Sequence, residues 1–156
     1  MTLAEILIDA LSRSRERFDR ALADVTLEQA NTPPVPDIAP RTNSLTWLAW
    51  HTAREIDLQI SLMAGQEFVW FTGGHRERFD LPLPDDTQDW RHTPEEAAQV
   101  VVDDLSVLTA YLDDAYAMAY GYMRSLAPER LDDIIDSSWD PPVTRGARLV
   151  SIIDDA

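Results

Sequence analysis

The sequence predicts an all-α protein: an up-and-down four-helix bundle with a long loop between its second and third helices and a short or truncated fourth. Three observations carry this. Helix-start signatures open the predicted helices, apolar residues recur at steps of three and four, and proline- or glycine-bearing stretches separate them. At 156 residues the chain is expected to be one domain, residues 1–156, with 45% hydrophobic residues and enough length for a real core.

The first helix starts at Thr2-Leu3-Ala4-Glu5, a capping box in which hydroxyl and carboxylate satisfy free amides. Leu3, Ile6, Leu7, Ala10, Leu11, Phe18, Ala21, Leu22 and Val25 then follow at helical spacing, so it runs to about Asp24. Arg13, Arg15, Arg17 and Arg20 read as a solvated face paired with Glu16 and Asp19, or as a contact for an anionic ligand. Thr26 to Ala30 suggests one further turn, and "NTPPVPDIAPRT" then predicts an extended linker, because its four prolines break helicity.

The second helix spans Asn43 to Ala64, capped by Asn43 or Ser44 and closed by Gly65. On a wheel of about 100° per residue, His51, Glu55 and Gln59 share one row inside the apolar arc. Arg54, Ser61 and Asp57 are expected to face outward, with Trp50 at the edge. An unpaired polar group in an apolar arc costs several kcal/mol, so the row needs partners on facing helices, water or a metal ion.

Gln66 to His92 has no sustained period and is expected to pack over one end of the bundle or to line a substrate entrance, with Trp70, Phe71, Phe79 and Trp90 as its anchors. Thr93-Pro94-Glu95-Glu96 is a strong helix start, and Val101, Leu105, Leu108, Leu112, Ala115, Ala119, Tyr122 and Leu126 continue the third helix to about Ser125. Asp103-Asp104 and Asp113-Asp114 are expected to be solvated, and the tyrosines 111, 116 and 120 to pack. "DSSWDPPVT" connects to a last helix capped by Thr144, whose apolar pattern is still running at Ala156. That predicts either a helix of about three turns or a chain that continues.

A formal net charge of −15 and the lack of a basic stripe argue against nucleic acid and anionic membrane surfaces. Without cysteine there is no disulfide, thiolate zinc site or cysteine nucleophile, so a metal must use His, Asp or Glu. No leader or long apolar run is evident, which predicts a soluble, cytoplasmic protein. P-loop, dinucleotide-binding and Gly-x-Ser-x-Gly signatures are absent. The chemistry therefore rests on three histidines. His51 is the best candidate ligand because Glu55 and Gln59 share its row and bundles build metal sites from inward-facing side chains. Glu55 is a candidate ligand, a partner fixing the imidazole tautomer, or a buried acceptor. His75 and His92 read as loop residues, and Asp154 and Asp155 as the acidic pair nearest to a facing ligand position.

The runs "NSLTWLAWH", "HTPEE" and "TRGARLVSIIDD" resemble the DinB/YfiT-like superfamily over nearly the whole chain, closest to the branch of mycothiol-dependent maleylpyruvate isomerase and the bacterial thiol S-transferases. The resemblance implies a four-helix bundle, often a homodimer, holding a divalent metal, zinc or nickel, with His51 as the second-helix ligand. Asp155 falls where the first fourth-helix histidine of the family usually stands, and the second would lie beyond Ala156. It further implies a small-molecule substrate with mycothiol as co-substrate. The competing reading is a non-catalytic bundle that binds a small molecule or dimerises without a functional metal site.

Overall fold

The computed structural model describes residues 1–39 and 41–156; Pro40, the last proline of the linker, lies outside the described residues. Helix α1 (Leu3–Leu22) begins with the Thr2–Glu5 capping box, both of its hydrogen bonds formed. A second capping box, Thr26 with Gln29, opens the short α2 (Leu27–Asn31). The linker is not wholly extended: the Ala39 amide donates to the Val35 carbonyl at 2.8 Å, closing a turn. Helix α3 (Leu45–Ala64) is capped by the Ser44 hydroxyl and ends where Gly65 takes φ +68, a left-handed conformation that favours glycine.

The span expected to be loop contains two short helices, α4 (Val69–Thr72) and α5 (His75–Phe79), and a 3₁₀ turn at Asp89–Arg91. The predicted third helix is broken in two. Its capping box forms at Thr93–Glu96 but serves only α6 (Pro94–Ala97), and the long helix α7 (Leu105–Ser125) starts afresh at Asp104, whose side chain accepts from the Ser106 amide. Asn31 holds the break open from a distance: its side-chain amide donates to the Val102 carbonyl at 2.8 Å, and its oxygen accepts from the Val102 amide at 3.2 Å. These bonds occupy backbone groups a continuous helix would use itself. Val100 and Val102 are thereby buried while Val101, assigned to the seam by its spacing, is exposed.

After α7 the chain makes a 3₁₀ turn (Pro128–Asp132) and a small antiparallel hairpin, β1 (Ile134–Asp136) with β2 (Val143–Thr144), in a connection that carried no strand signal. The Thr144 hydroxyl then caps α8 (Arg145–Asp155). α3 packs on α7, α7 on α1, α1 on α8 and α8 back on α3, closing a four-helix ring. Leu11, Ile56, Ile60, Leu108, Tyr111, Leu112, Tyr116, Leu149 and Ile152 fill its middle, each large side chain stabilising the fold by roughly 1.5–3 kcal/mol. Burial pushes the Tyr116 phenol up to about 12, and its hydroxyl lies 2.7 Å from Ser14 Oγ. No helix among the described residues is long and apolar enough to cross a membrane.

One rotation matters for the site. Trp50, Asp57 and Ser61, placed outward or at the edge by the wheel, are buried, while Leu48 and Leu62 are exposed. Asp57 is 1% exposed because four donors converge on it: the amides of Val69 (2.9 Å) and Trp70 (2.8 Å), and the hydroxyls of Ser61 (3.1 Å) and Tyr111 (3.0 Å). It thus caps α4, whose own N-cap Phe68 has no side-chain acceptor. Turning Asp57 inward leaves the His51–Glu55–Gln59 row half-buried, with Glu55 and Gln59 on the wall of a cleft.

Candidate metal centre

His51 and Glu55 project from successive turns of α3, and the 3₁₀ turn brings Asp89 to them. One ligand atom from each of the three lies within 4.8 Å of the others, a grouping that could hold a divalent cation. His51 Nδ1 is 2.9 Å from Asp89 Oδ2, and Asp89 is only 3% exposed. A carboxylate is an acceptor, so Nδ1 carries the proton and Nε2 keeps its lone pair for an outside partner. The ring is also fixed in plane. Trp47 stacks on it at 4.5 Å and 17°, and Trp47 Nε1 donates to His92 Nδ1 at 3.2 Å. His92 must then donate from Nε2, 2.8 Å from Thr87 Oγ1, and burial lowers its pKa, which favours this neutral form.

Glu55 has one satisfied oxygen and one that is not. Oε2 accepts from Gln59 at 3.1 Å, and Gln59 Oε1 in turn accepts from Arg148 at 3.3 Å. Oε1 is buried with no hydrogen-bond partner. Burial, followed by the nearby Asp89 charge, raises the Glu55 pKa. A buried carboxylate oxygen with no donor is costly alone and favourable beside a cation. The donor set therefore fits a divalent metal: an imidazole nitrogen and carboxylate oxygens suit first-row ions such as zinc or nickel.

The centre stands where two clefts meet. The larger, about 750 Å³, is lined by Glu55, Gln59, Trp90, Trp139, Arg148 and Asp155 among others. The smaller, about 350 Å³, is lined by Arg54, Glu55, Leu58, Phe68, Phe71 and Asp89, and Trp90 again. Glu55, Leu58 and Trp90 belong to both, and Trp90 (55% exposed) and Trp139 (65%) stand open to solvent.

The fold agrees with what the chain resembles. The family model of the DinB superfamily matches residues 10–154. The chain belongs to the DinB superfamily. A crystal structure described as the conserved protein of a locus of Enterococcus faecalis is 47% identical, with a TM-score of 0.91 over 99% of this chain and 89% of that one. No curated protein matches the chain.

Of the residues singled out by sequence, His51 and Glu55 come together at the centre. Asp155 stands exposed in the last turn of α8, on the wall of the larger cleft and outside the three-residue group, and accepts from Ser151 at 3.2 Å. Asp154 is exposed. His75 is fully buried, paired with Asp114 Oδ2 at 2.8 Å and tilted against Tyr111, so it is a core residue and Asp114 is not merely solvated. Asp89 was missed. Its only signal was a position one residue before Trp90 in the long segment, and that does not say which helix the turn lies against.

Proposed function

We propose that this DinB-superfamily chain is a divalent-metal-dependent enzyme acting on a low-molecular-weight thiol and a second small molecule, as a thiol S-transferase or isomerase. The observation that carries the reading is the His51–Glu55–Asp89 group set at the junction of two clefts. Two clefts meeting at one centre let two molecules be held against it at once. His51 Nε2 and Glu55 Oε1 would hold the cation, and Asp89 would keep the imidazole in the tautomer that presents Nε2, the outer carboxylate common behind metal-bound histidine. Of the roles open to Glu55 from sequence, this takes the ligand's and gives the orienting one to Asp89. Asp155, on the larger cleft, would supply a further oxygen from the last helix. When bound, a divalent cation lowers the pKa of a thiol and so favours the thiolate at neutral pH.

The chain's own residues do the rest. Gln59, Arg148 and Ser151 line the larger cleft with hydrogen-bonding groups suited to a polar thiol such as mycothiol, and Trp90 divides this cleft from the smaller, more apolar one. The test is a conjugation assay with mycothiol and a fluorogenic electrophile such as monochlorobimane, with zinc or nickel added. The reading expects a rate that disappears with chelator, returns with metal, and is lost in folded His51→Ala. A rate unaffected by chelator and by His51→Ala contradicts it.

A further inference from the structure

Arg54, which lines both the smaller cleft and a neighbouring polar one shared with Trp70, Arg76 and Asp85, carries a charge that is not answered. Four arginines are withdrawn from solvent: Arg15, Arg54, Arg145 and Arg148. Three of them meet a carboxylate, Arg15 with Asp113 at 2.7 Å, Arg145 with Asp133 at 3.5 Å and Arg148 with Asp136 at 3.6 Å. Among the described residues Arg54 has no carboxylate within ion-pair distance, although the chain carries 28 acidic residues. Its one polar contact is a long bond to the Asp85 carbonyl, 3.4 Å, while the Asp85 carboxylate is taken by Arg76. The guanidinium is instead held by two aromatic faces, 5.2 Å from the Trp70 ring centre and 5.7 Å from that of Trp50.

Contacts of this kind hold the guanidinium against the rings and leave N–H groups available to a planar anion. A cation drawn from water without a counter-ion is also a standing cost that a bound anion removes. The wall opposite is apolar: Leu58, Phe68, Phe71 and Trp90. Of the acids that share the cleft, Asp89 meets His51, Asp85 meets Arg76, Asp86 is exposed, and Glu55 accepts from Gln59 through Oε2 while its Oε1 has no partner.

We propose that the smaller cleft is a binding site for a compact organic carboxylate, with the carboxylate on Arg54 and the flat apolar body between Phe68, Phe71 and Trp90. Its use as the second-substrate site rests on the proposed function; binding itself does not, and it is measured without metal. The experiment is calorimetric titration of the chelator-treated chain with benzoate and with its neutral analogue benzyl alcohol. The expected result is saturable benzoate binding at least about tenfold tighter than benzyl alcohol, as charge-assisted bonds to a guanidinium provide. That preference should vanish in Arg54→Gln, while Phe71→Ala, altering a half-exposed ring, should weaken benzoate with Arg54 in place. Should Arg54→Gln fail to fold, Arg54→Lys decides, since it keeps the charge, loses the planar fork and should still weaken benzoate. Equal affinity for the two ligands, or benzoate binding unchanged in folded Arg54 and Phe71 variants, overturns the proposal. Benzoate binding in a protein that never retains metal would leave this site standing and remove the proposed function; the reverse pattern would do the opposite.

Discussion

Replacing Asp57 with alanine is expected to remove much of the stability of this fold. The carboxylate accepts four hydrogen bonds at 2.8–3.1 Å in a fully buried position. Truncation strands the Val69 and Trp70 amides, at roughly 1–3 kcal/mol each, and unpairs Tyr111. The Ser61 hydroxyl retains only a long contact to the Glu67 carbonyl at 3.5 Å. The sum is about 4 kcal/mol out of a total of roughly 5–15 for a domain. Urea denaturation at pH 7.5 reads it directly: with a slope of about 2 kcal/mol per molar, the midpoint falls by about 2 M. Asp57→Asn keeps one acceptor oxygen and should lose about half as much. Because α4 and its N-cap carry the cleft walls Phe71 and Phe68, both variants should also loosen the smaller cleft. A midpoint shift below about 0.5 M for the alanine variant would refute the claim that this one carboxylate fastens α4 to the bundle.

Burial lowers the His75 pKa from its ordinary 6.5, so the unfolded chain takes up the proton first. Stability is therefore full above about pH 6.5 and declines as pH falls toward the folded-state value; urea midpoints at pH 7.5 and 5.5 should differ, and His75→Gln should shrink the difference. Gly73→Ala would place a Cβ 2.7 Å from His75 Nε2 and 2.8 Å from the Val69 carbonyl, and should cost about 1–3 kcal/mol. Gly121→Ala, exposed within α7 with nothing near its Cβ, should instead gain about 0.5–1 kcal/mol; thermal melts of both variants check the contrast. Asp89→Asn is expected to weaken zinc or nickel affinity about 10- to 100-fold through loss of its hold on His51, measured by competition with a chromophoric chelator.

The elements with local causes were legible. Thr2 with Glu5, Thr93 with Glu96, Ser44 and Thr144 all cap where their spacing says. What the sequence misplaced depends on partners far along the chain. The 94–125 pattern is helical throughout, and only the side chain of Asn31, 71 positions from Val102, shows why it breaks. The face of α3 was assigned by treating Asp57 as a surface charge, which holds for most aspartates but fails where four donors surround one. The same error put the His51 row inside the core, when its residues are half-buried and Glu55 and Gln59 line a cleft. Asp89 reaches that row only because the 66–92 segment folds back over α3, and no local spacing encodes this.

The central claim is that His51 and Glu55 bind a cation together. Purified chain should be dialysed against zinc or nickel, then against metal-free buffer, and its metal content measured by plasma mass spectrometry. The account predicts about one divalent ion per chain, with most of it lost in both His51→Ala and Glu55→Gln while circular dichroism stays unchanged. Wild-type protein that retains no metal, or variants that retain as much as wild type, would contradict it.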